Sequence, residues 1–409
     1  MPRGFHGLIA AQFFSALADN ALLIVAIAWL VRLQMPAWWA PLLKFCFTIA
    51  YVALAPFVGA LADHWPKARL MMAMNALKVL GVLLLLLGAV HPLLALGVVG
   101  VGAAAYAPAK YGLVTELVAP GQLVRANGWI EVTTVCAALL GTVLGGLLVS
   151  PALAAAAGWA WPGVDPLGAA LALLLAVYAL AAALNLLIPD SGARYARTSA
   201  HPAALLRGFF AGHRRLWRDA EGGLSMAVTT LFWGVAAVLQ FAVLRWAIDV
   251  LGLTLDRAAY LQGVVAVGIV AGAALAGRLV SLAHAARVLP LGIALGLLVG
   301  VTAWVQHWTA ALPLLLLVGA LGGALVVPLN ALLQHRGHQL LTAGRSIAVQ
   351  NFNENASVLV MLGGYAALLS LDVDIRRLMT GLGLFVAAAV ALLWLRTRQG
   401  RSARARQST

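Results

Sequence analysis

The sequence predicts an all-α membrane protein: twelve transmembrane helices in two pseudo-symmetric six-helix bundles. Three observations carry that reading. Of 409 residues, 63% are hydrophobic and only 10% charged, where soluble proteins carry roughly a quarter. Apolar runs of about twenty residues, each long enough to cross a ~30 Å hydrocarbon core, recur from one end of the chain to the other. Finally, two segments of the first half resemble two of the second in the same order.

Spans are expected near 6–32, 39–62, 68–90, 92–118, 122–149 and 166–189, then near 223–250, 257–280, 285–305, 309–333, 345–370 and 374–395. These give an N-terminal bundle at 1–190, a central loop at 191–222, a C-terminal bundle at 223–396 and a basic tail at 397–409. The first run follows MPRGFHG directly. With no small-residue cleavage site behind a short apolar core, it reads as an uncleaved first helix. The central loop, PDSGARYARTSAHPAALLRGFFAGHRRLWRDAEGG, is expected to hold a short interfacial helix with Phe209, Phe210, Leu216 and Trp217 as its apolar side.

An even number of spans puts both termini on one side. That side would receive nineteen bases, among them Arg3, Lys67, Arg69, Arg125, the central-loop arginines, Arg336 and Arg345. The other side keeps five: Arg32, Lys44, Arg257, Arg376 and Arg377. The excess of bases marks the cytoplasmic face, so both ends are expected inside. The net charge of +14 is thereby explained by topology, with no nucleic-acid partner. Cys46 and Cys136 lie in apolar stretches, read as packing residues, and form no disulfide framework.

The internal match sets GVGAAAYAPAKYG (100–112) against ALGGALVVPLNAL (320–332), with Pro108 over Pro328. It continues with NGWIEVTTVCAALLG (127–141) against QNFNENASVLVMLGG (350–364), with Glu131 over Glu354. Same-orientation repeats with a substrate site between the halves near the midplane describe the major facilitator architecture.

Polar groups at membrane depth mark functional sites by default, because a charge in hydrocarbon costs about 2.5 kcal/mol or more. Asp19 lies about 20 Å from the inner surface, at ~1.5 Å per residue. Lys110, Glu131 and Glu354 lie roughly eight or nine residues in from that surface. For Asp19, Lys110 and Glu354 function outweighs packing. For Arg245, four residues before Asp249, an i,i+4 pair competes evenly. Lys78 reads first as an internal counter-charge for an acid, and Glu131 as structural. QNFNEN places Gln350, Asn351 and Glu354 on one helix face with Asn353 pointing elsewhere. Such an amide cluster around a glutamate suits a ligand with several polar groups. Glycine runs such as GTVLGG read as helix-packing faces. His335 and His338, without a third ligand, read as a solvated loop rather than a metal site.

GALADHWPKAR (59–69) supplies Asp63, Lys67 and Arg69 between the second and third spans. It resembles the major facilitator loop in which an acid and bases latch the cytoplasmic side, with Pro66 where a glycine is usual. More specific segments are AQFFSALADNALL (11–23), VGVGAAAYAPAKYGLVTEL (99–117), FWG (232–234), VVPLNALLQHRG (326–337) and IAVQNFNEN (347–355). Together, in order through both halves, they resemble the bacterial lysophospholipid transporter family.

That resemblance implies transport of lysophosphatidylethanolamine and lysophosphatidylglycerol from the outer to the inner leaflet of the bacterial inner membrane. A cytoplasmic-face acyltransferase/acyl carrier protein synthetase would then re-acylate them. It implies no cofactor or metal, surrounding membrane lipids as further partners, and a monomer. The family's cavity charges carry over to Asp19, Lys110 and Glu354. Members also have an arginine in helix seven, where this sequence has Gln240, with Arg245 five residues later. Asn20 and Asn351 would bond glycerol hydroxyls, Lys110 and then Arg245 the phosphate. Alternating access would follow from rocking one half against the other.

An alternative is another major facilitator cargo, exported or imported on an ion gradient through Asp19. A passive scramblase would instead show no head-group preference. A membrane acyltransferase is disfavoured: none of the nine histidines has an aspartate five residues on, and no serine sits in a nucleophile elbow.

Overall fold

The computed structural model describes residues 3–35, 39–150, 165–193, 195, 201–253 and 255–407. Arg194 and Arg197 of the central loop lie outside them. Among the described residues the chain forms fourteen α-helices and no strand. The first half holds α1 (Arg3–Arg32), α2 (Trp39–Ala53), α3 (Ala55–His64), α4 (Lys67–Leu86), α5 (Pro92–Leu117), α6 (Leu123–Leu148) and α7 (Pro166–Leu184). The central α8 (Pro202–Arg218) precedes α9 (Ala220–Asp249), α10 (Leu255–Leu279), α11 (Leu289–Thr302), α12 (Trp308–Leu340), α13 (Ala343–Ser370) and α14 (Ile375–Gln407).

Among the described residues ten helical segments are long and apolar enough to cross a membrane, and α2 with α3 forms an eleventh as a bent pair. The remaining expected span is α13. Its 28 residues give about 42 Å at 1.5 Å per residue, but QNFNEN leaves it too polar to count by composition.

Two expectations are corrected, and a third gains detail. The span expected at 39–62 is broken at Leu54 by a 65° bend. Pro56 sits in the first turn of α3, where its missing N–H is harmless at a helix start and would be costly inside one. His335 and His338 are not in a loop, because α12 runs on to Leu340. On α8, Phe209 and Leu216 are buried whereas Phe210 is 57% and Trp217 37% exposed. At about 100° per residue the four fall within roughly 120° of the helix circumference, one apolar side whose one edge is packed inward and whose other edge is exposed.

The chain packs as two compact units. The first comprises Met1–Ala119, Thr133–Leu216 and Gly337–Phe352; the second comprises Pro120–Val132, Trp217–Arg336 and Asn353–Thr409. The first is built on a core of alanine, leucine and valine from α1, α4, α5 and α7, with fully buried Tyr178 at its polar margin. Close approach of α6 to α1 needs Gly145, where a Cβ would meet the Ala21 carbonyl oxygen at 2.8 Å. Among the described residues the second unit shows two cores. One surrounds fully buried Trp246, whose indole N–H donates to the Ala303 carbonyl at 3.1 Å. The other joins α9, α11, α12 and α14. Pro108 and Pro328, the aligned prolines, both lie inside helices.

Candidate functional site

A cavity of ≈ 200 Å³ lies within the first unit among α1, α2, α4, α5 and α6. Its polar lining comprises Gln12, Ser15, Asp19, Asn20, Lys44, Tyr51, Lys78, Tyr106, Lys110 and Thr134, and its apolar lining includes Leu23, Phe47 and Leu96. Among these residues three lysines face one carboxylate.

Asp19 is held on three sides. Lys78 Nζ donates to both carboxylate oxygens, at 2.9 and 2.7 Å, and the Tyr178 hydroxyl donates at 2.6 Å. Lys78 also donates to Ser15 Oγ at 3.0 Å, and Ser15 donates on to Asn75 Oδ1 at 2.8 Å. Lys78, Ser15 and Asn75 are buried. A buried pair repays its desolvation only when its remaining donors and acceptors are also satisfied, which Ser15 does for Lys78 and Tyr178 for Asp19. Lys78 is therefore the counter-charge the sequence suggests, and it also lines the cavity. Ser15, Asn75 and Tyr178 are not singled out by sequence reasoning, since each is an ordinary polar residue on a largely apolar helix.

Lys110 reaches Gln12 Oε1 at 3.5 Å and lies 4.2 Å from the Tyr111 ring centre. Buried Gln12 donates in turn to Thr133 Oγ1 at 2.6 Å, tying α1 to α6. Asn20 donates to the Ala16 carbonyl one turn earlier at 2.8 Å while lining the cavity. Lys44, counted from sequence among the outer-side bases, also lines this cavity from α2. The three lysines are staggered along the helices. Lys110 lies about 11 Å and Lys78 about 17 Å from the Leu117/Lys67 helix ends, and Lys44 near the opposite end of α2.

The other predicted residues lie elsewhere. Gln350, Asn351 and Glu354 are all buried on α13, as one face would require, while Asn353 accepts from the Trp217 indole at 3.2 Å. Gln240 is exposed on α9, its carbonyl receiving the Gln262 amide. Arg245 pairs with Asp249 at 3.1 Å, both about half exposed. One further amide pair has no signal in the sequence: Asn127 and Gln334 exchange two hydrogen bonds of 2.9 Å inside the second unit.

The 59–69 loop assembles a second ionic cluster. Asp63 accepts from Gly344 N at 2.8 Å and from the Thr342 hydroxyl, capping the start of α13, and lies 3.9 Å from Lys67. Lys67 binds Glu116 more closely, at 2.6 Å. Glu116 also accepts from Tyr195 at 2.8 Å and Ser191 at 2.5 Å. Burial, reinforced by the Glu116 carboxylate, pushes the Tyr195 phenol well above its ordinary value and keeps it a donor. Arg69 is exposed. Pro66 caps α4 in an ordinary negative-φ conformation, so a glycine is not needed there. Glu116 is the residue the loop motif could not reveal, because it ends α5 some fifty residues later.

This arrangement matches known proteins along nearly the whole chain. The Major Facilitator Superfamily model covers residues 8–360. A lysophospholipid transporter LplT of Yersinia enterocolitica is 43% identical over 377 residues, 92% of this chain and 89% of its own. That of Cronobacter sakazakii is 43% identical over 399 residues, 97% and 96% of the two chains. The chain belongs to the lysophospholipid transporter family of the major facilitator superfamily. Membership of this family makes it a multi-pass membrane transporter rather than an enzyme. The solved structures share the fold at lower identity. The fucose transporter FucP in its outward conformation superposes with a TM-score of 0.73 at 18% identity, covering 96% of this chain and 97% of its own. A bacterial homologue of the iron transporter ferroportin gives 0.70 at 17%, covering 98% and 100%.

Proposed function

We propose that this transporter carries lysophospholipids, notably lysophosphatidylethanolamine and lysophosphatidylglycerol, from the outer to the inner leaflet of a bacterial inner membrane. The single observation that best supports this is the cavity lined by three lysines and one carboxylate. A glycerophosphate head is an anion, and its attraction to a cation strengthens as the dielectric falls. Lys110 serves as the main phosphate ligand, with Lys44 as a second. Asn20 bonds the glycerol hydroxyls. Asp19 holds Lys78 in place and meets the ethanolamine ammonium. The acyl chain stays in lipid, so only the polar head crosses the protein.

Asn351 and Glu354 serve the same head group from α13. Gln240 stands where the family resemblance implies an arginine and leaves helix seven without that cation, and Arg245 is committed to Asp249 in the conformation described. Asp63 and Lys67 act as the cytoplasmic gate with Glu116, and Arg69 flanks them. The two six-helix halves, 1–190 and 223–396, rock to give alternating access. Both termini face the cytoplasm, as the distribution of bases supports. There a lysophospholipid acyltransferase/acyl carrier protein synthetase re-acylates the product. Transport itself uses no cofactor.

The test is head-group-resolved uptake into proteoliposomes, with and without an imposed ion gradient. Uptake of labelled lysophosphatidylethanolamine and lysophosphatidylglycerol above empty vesicles is expected. Uptake of sugars or drugs instead would replace this reading with another cargo. Flux that appears only with a proton gradient would assign Asp19 to ion coupling.

A further inference from the structure

A second cavity, of ≈ 290 Å³, lies within the first unit where α3, α8 and the start of α13 meet. It shares no lining residue with the cavity around Asp19. Leu205, Phe209, Leu341 and Val349 make its walls apolar, and Arg215 and Arg345 supply its only charges among the described residues. Among those residues neither guanidinium has an ion-pair or hydrogen-bond partner. Arg345 is half-buried and Arg215 exposed.

The backbone keeps this space open. Gly208 on α8 faces Arg345, and a Cβ there would lie 4.0 Å from Nη2, in contact with the guanidinium. At Gly59, by contrast, a Cβ would meet Arg345 Cα and Ala348 Cβ at 2.9 Å, so α3 and α13 close the floor tightly. Two guanidiniums over an apolar floor match a phosphate joined to a hydrocarbon chain. Arginine forks bind phosphate oxygens with strong charge-assisted hydrogen bonds. The opposite side of α8 exposes Leu206 at 39% and Phe210 at 57%. A basic helix with exposed apolar residues on its outer side lies in the plane of a membrane interface. That places the cavity mouth at lipid head-group level.

We propose that this cavity is a binding site for an anionic diacyl phospholipid of the leaflet in which α8 lies. Arg215 and Arg345 hold its phosphate, and one acyl chain lies along Leu205, Phe209 and Val349. The site also reaches the loop cluster. Arg345 follows Gly344, whose N–H is held by Asp63, so a lipid gripping Arg345 also steadies the start of α13 against α3. Membrane composition would thereby bear on the gate without touching the cargo cavity.

The experiment uses the full chain in nanodiscs containing a trace of diazirine-bearing phosphatidylglycerol, with labelled peptides mapped by mass spectrometry. Labelling within 205–215 and 341–349 is expected, falling by about tenfold in the Arg215→Gln/Arg345→Gln double variant, as loss of charged hydrogen bonds would give. Gly208→Leu keeps both arginines and fills the space, and it should lower labelling similarly. Equal labelling by a phosphatidylcholine probe of the same chain length would overturn the proposal. So would labelling unchanged in both variants. Loss of labelling on adding millimolar glycerol 3-phosphate would reassign the site to a soluble phosphate and overturn the lipid source. None of these readouts depends on which cargo is transported.

Discussion

Around Asp63 and Glu116, two acids are met by one buried lysine, two hydroxyl donors from Ser191 and Tyr195, and the capping donors of α13. Around Asp19, one acid is bonded by Lys78 and shares an open cavity with Lys44 and Lys110. Both clusters sit in the first unit, and both are built from lysine and carboxylate in apolar surroundings. The first is packed shut, with Lys67 and Glu116 only 4% and 3% exposed. The second keeps space beside its cations. Paired charges that leave no room act as a fastener; charges that line a void can receive a ligand. The difference lies in stoichiometry and volume, not in residue type.

The largest effects should come from separating the two jobs of Asp19. Lys110→Ala should abolish transport, by a factor of about a hundred or more for two charged hydrogen bonds, while thermal stability in detergent stays near wild type. Asp19→Asn strips the buried Lys78 of its counter-charge, and breaking such a pair costs about 3–5 kcal/mol. The double variant Asp19→Asn/Lys78→Met should regain stability in a double-mutant cycle without regaining uptake. If uptake returned with stability, Asp19 would be structural, like the acids of the other cluster.

The next effect is on the closed cluster. Glu116→Gln should lower stability by about 1–3 kcal/mol, because buried Lys67 loses its counter-charge and an amide nitrogen replaces one of the accepting oxygens. Cysteine accessibility near Ala62 should rise, with the affinity for lysolipid changing much less. A larger change in affinity than in accessibility would erase the distinction between the clusters.

Smaller still is the change expected at Lys44. Lys44→Gln should raise the KM for lysophosphatidylglycerol by about threefold to tenfold, a fraction of one charged hydrogen bond. The zwitterionic ethanolamine lipid should be affected less. Equal effects on both would make Lys44 a wall residue only.

The smallest effect concerns an interfacial pair in the second unit. Asp219 caps α9 through Gly222 N at 2.8 Å and accepts from Arg336 at 2.6 and 3.1 Å. The Arg336 hydrogen bond holds its carboxyl below the usual carboxylate range. Its contribution is therefore fully present above the ordinary carboxylate pKa of about 4 and lost as pH falls through the lowered folded value. Arg336 is 30% exposed, so less than about 1 kcal/mol is at stake. Asp219→Asn should lower neutral stability by less than about 1 kcal/mol and so flatten the acid limb of a Tm-against-pH curve, the two proteins converging at low pH.

What the sequence exposes follows the same physics. Asp19 and Lys110 stand out because a charge inside an apolar run has no cheap explanation. The face shared by Gln350, Asn351 and Glu354 follows from helical spacing alone. The cavity role of Lys44 has no signal because a lysine near a span end resembles any topogenic base, and only the packing of α2 against the cavity reveals it. Glu116 escapes notice because an acid at a helix end is unremarkable until Lys67, Ser191 and Tyr195 converge on it. The break at Leu54 has a signal in Pro56, but hydropathy averages across a bend and reports one span.

The composition of α13 bears on how the chain is made. A helix that carries Gln350, Asn351, Asn353, Glu354 and Asn355 within six residues is a poor client for a translocon that sorts segments by their hydrophobicity one at a time. Left alone it would tend to slip back into the aqueous channel. It is emitted eleventh among the expected spans, after nearly all the others have been made, when earlier partners such as the indole of Trp217 are available to receive its amides. Biogenesis thus reserves the most hydrophilic segment for a late, assisted insertion, and the order of synthesis becomes part of how a polar transport path is installed in oil.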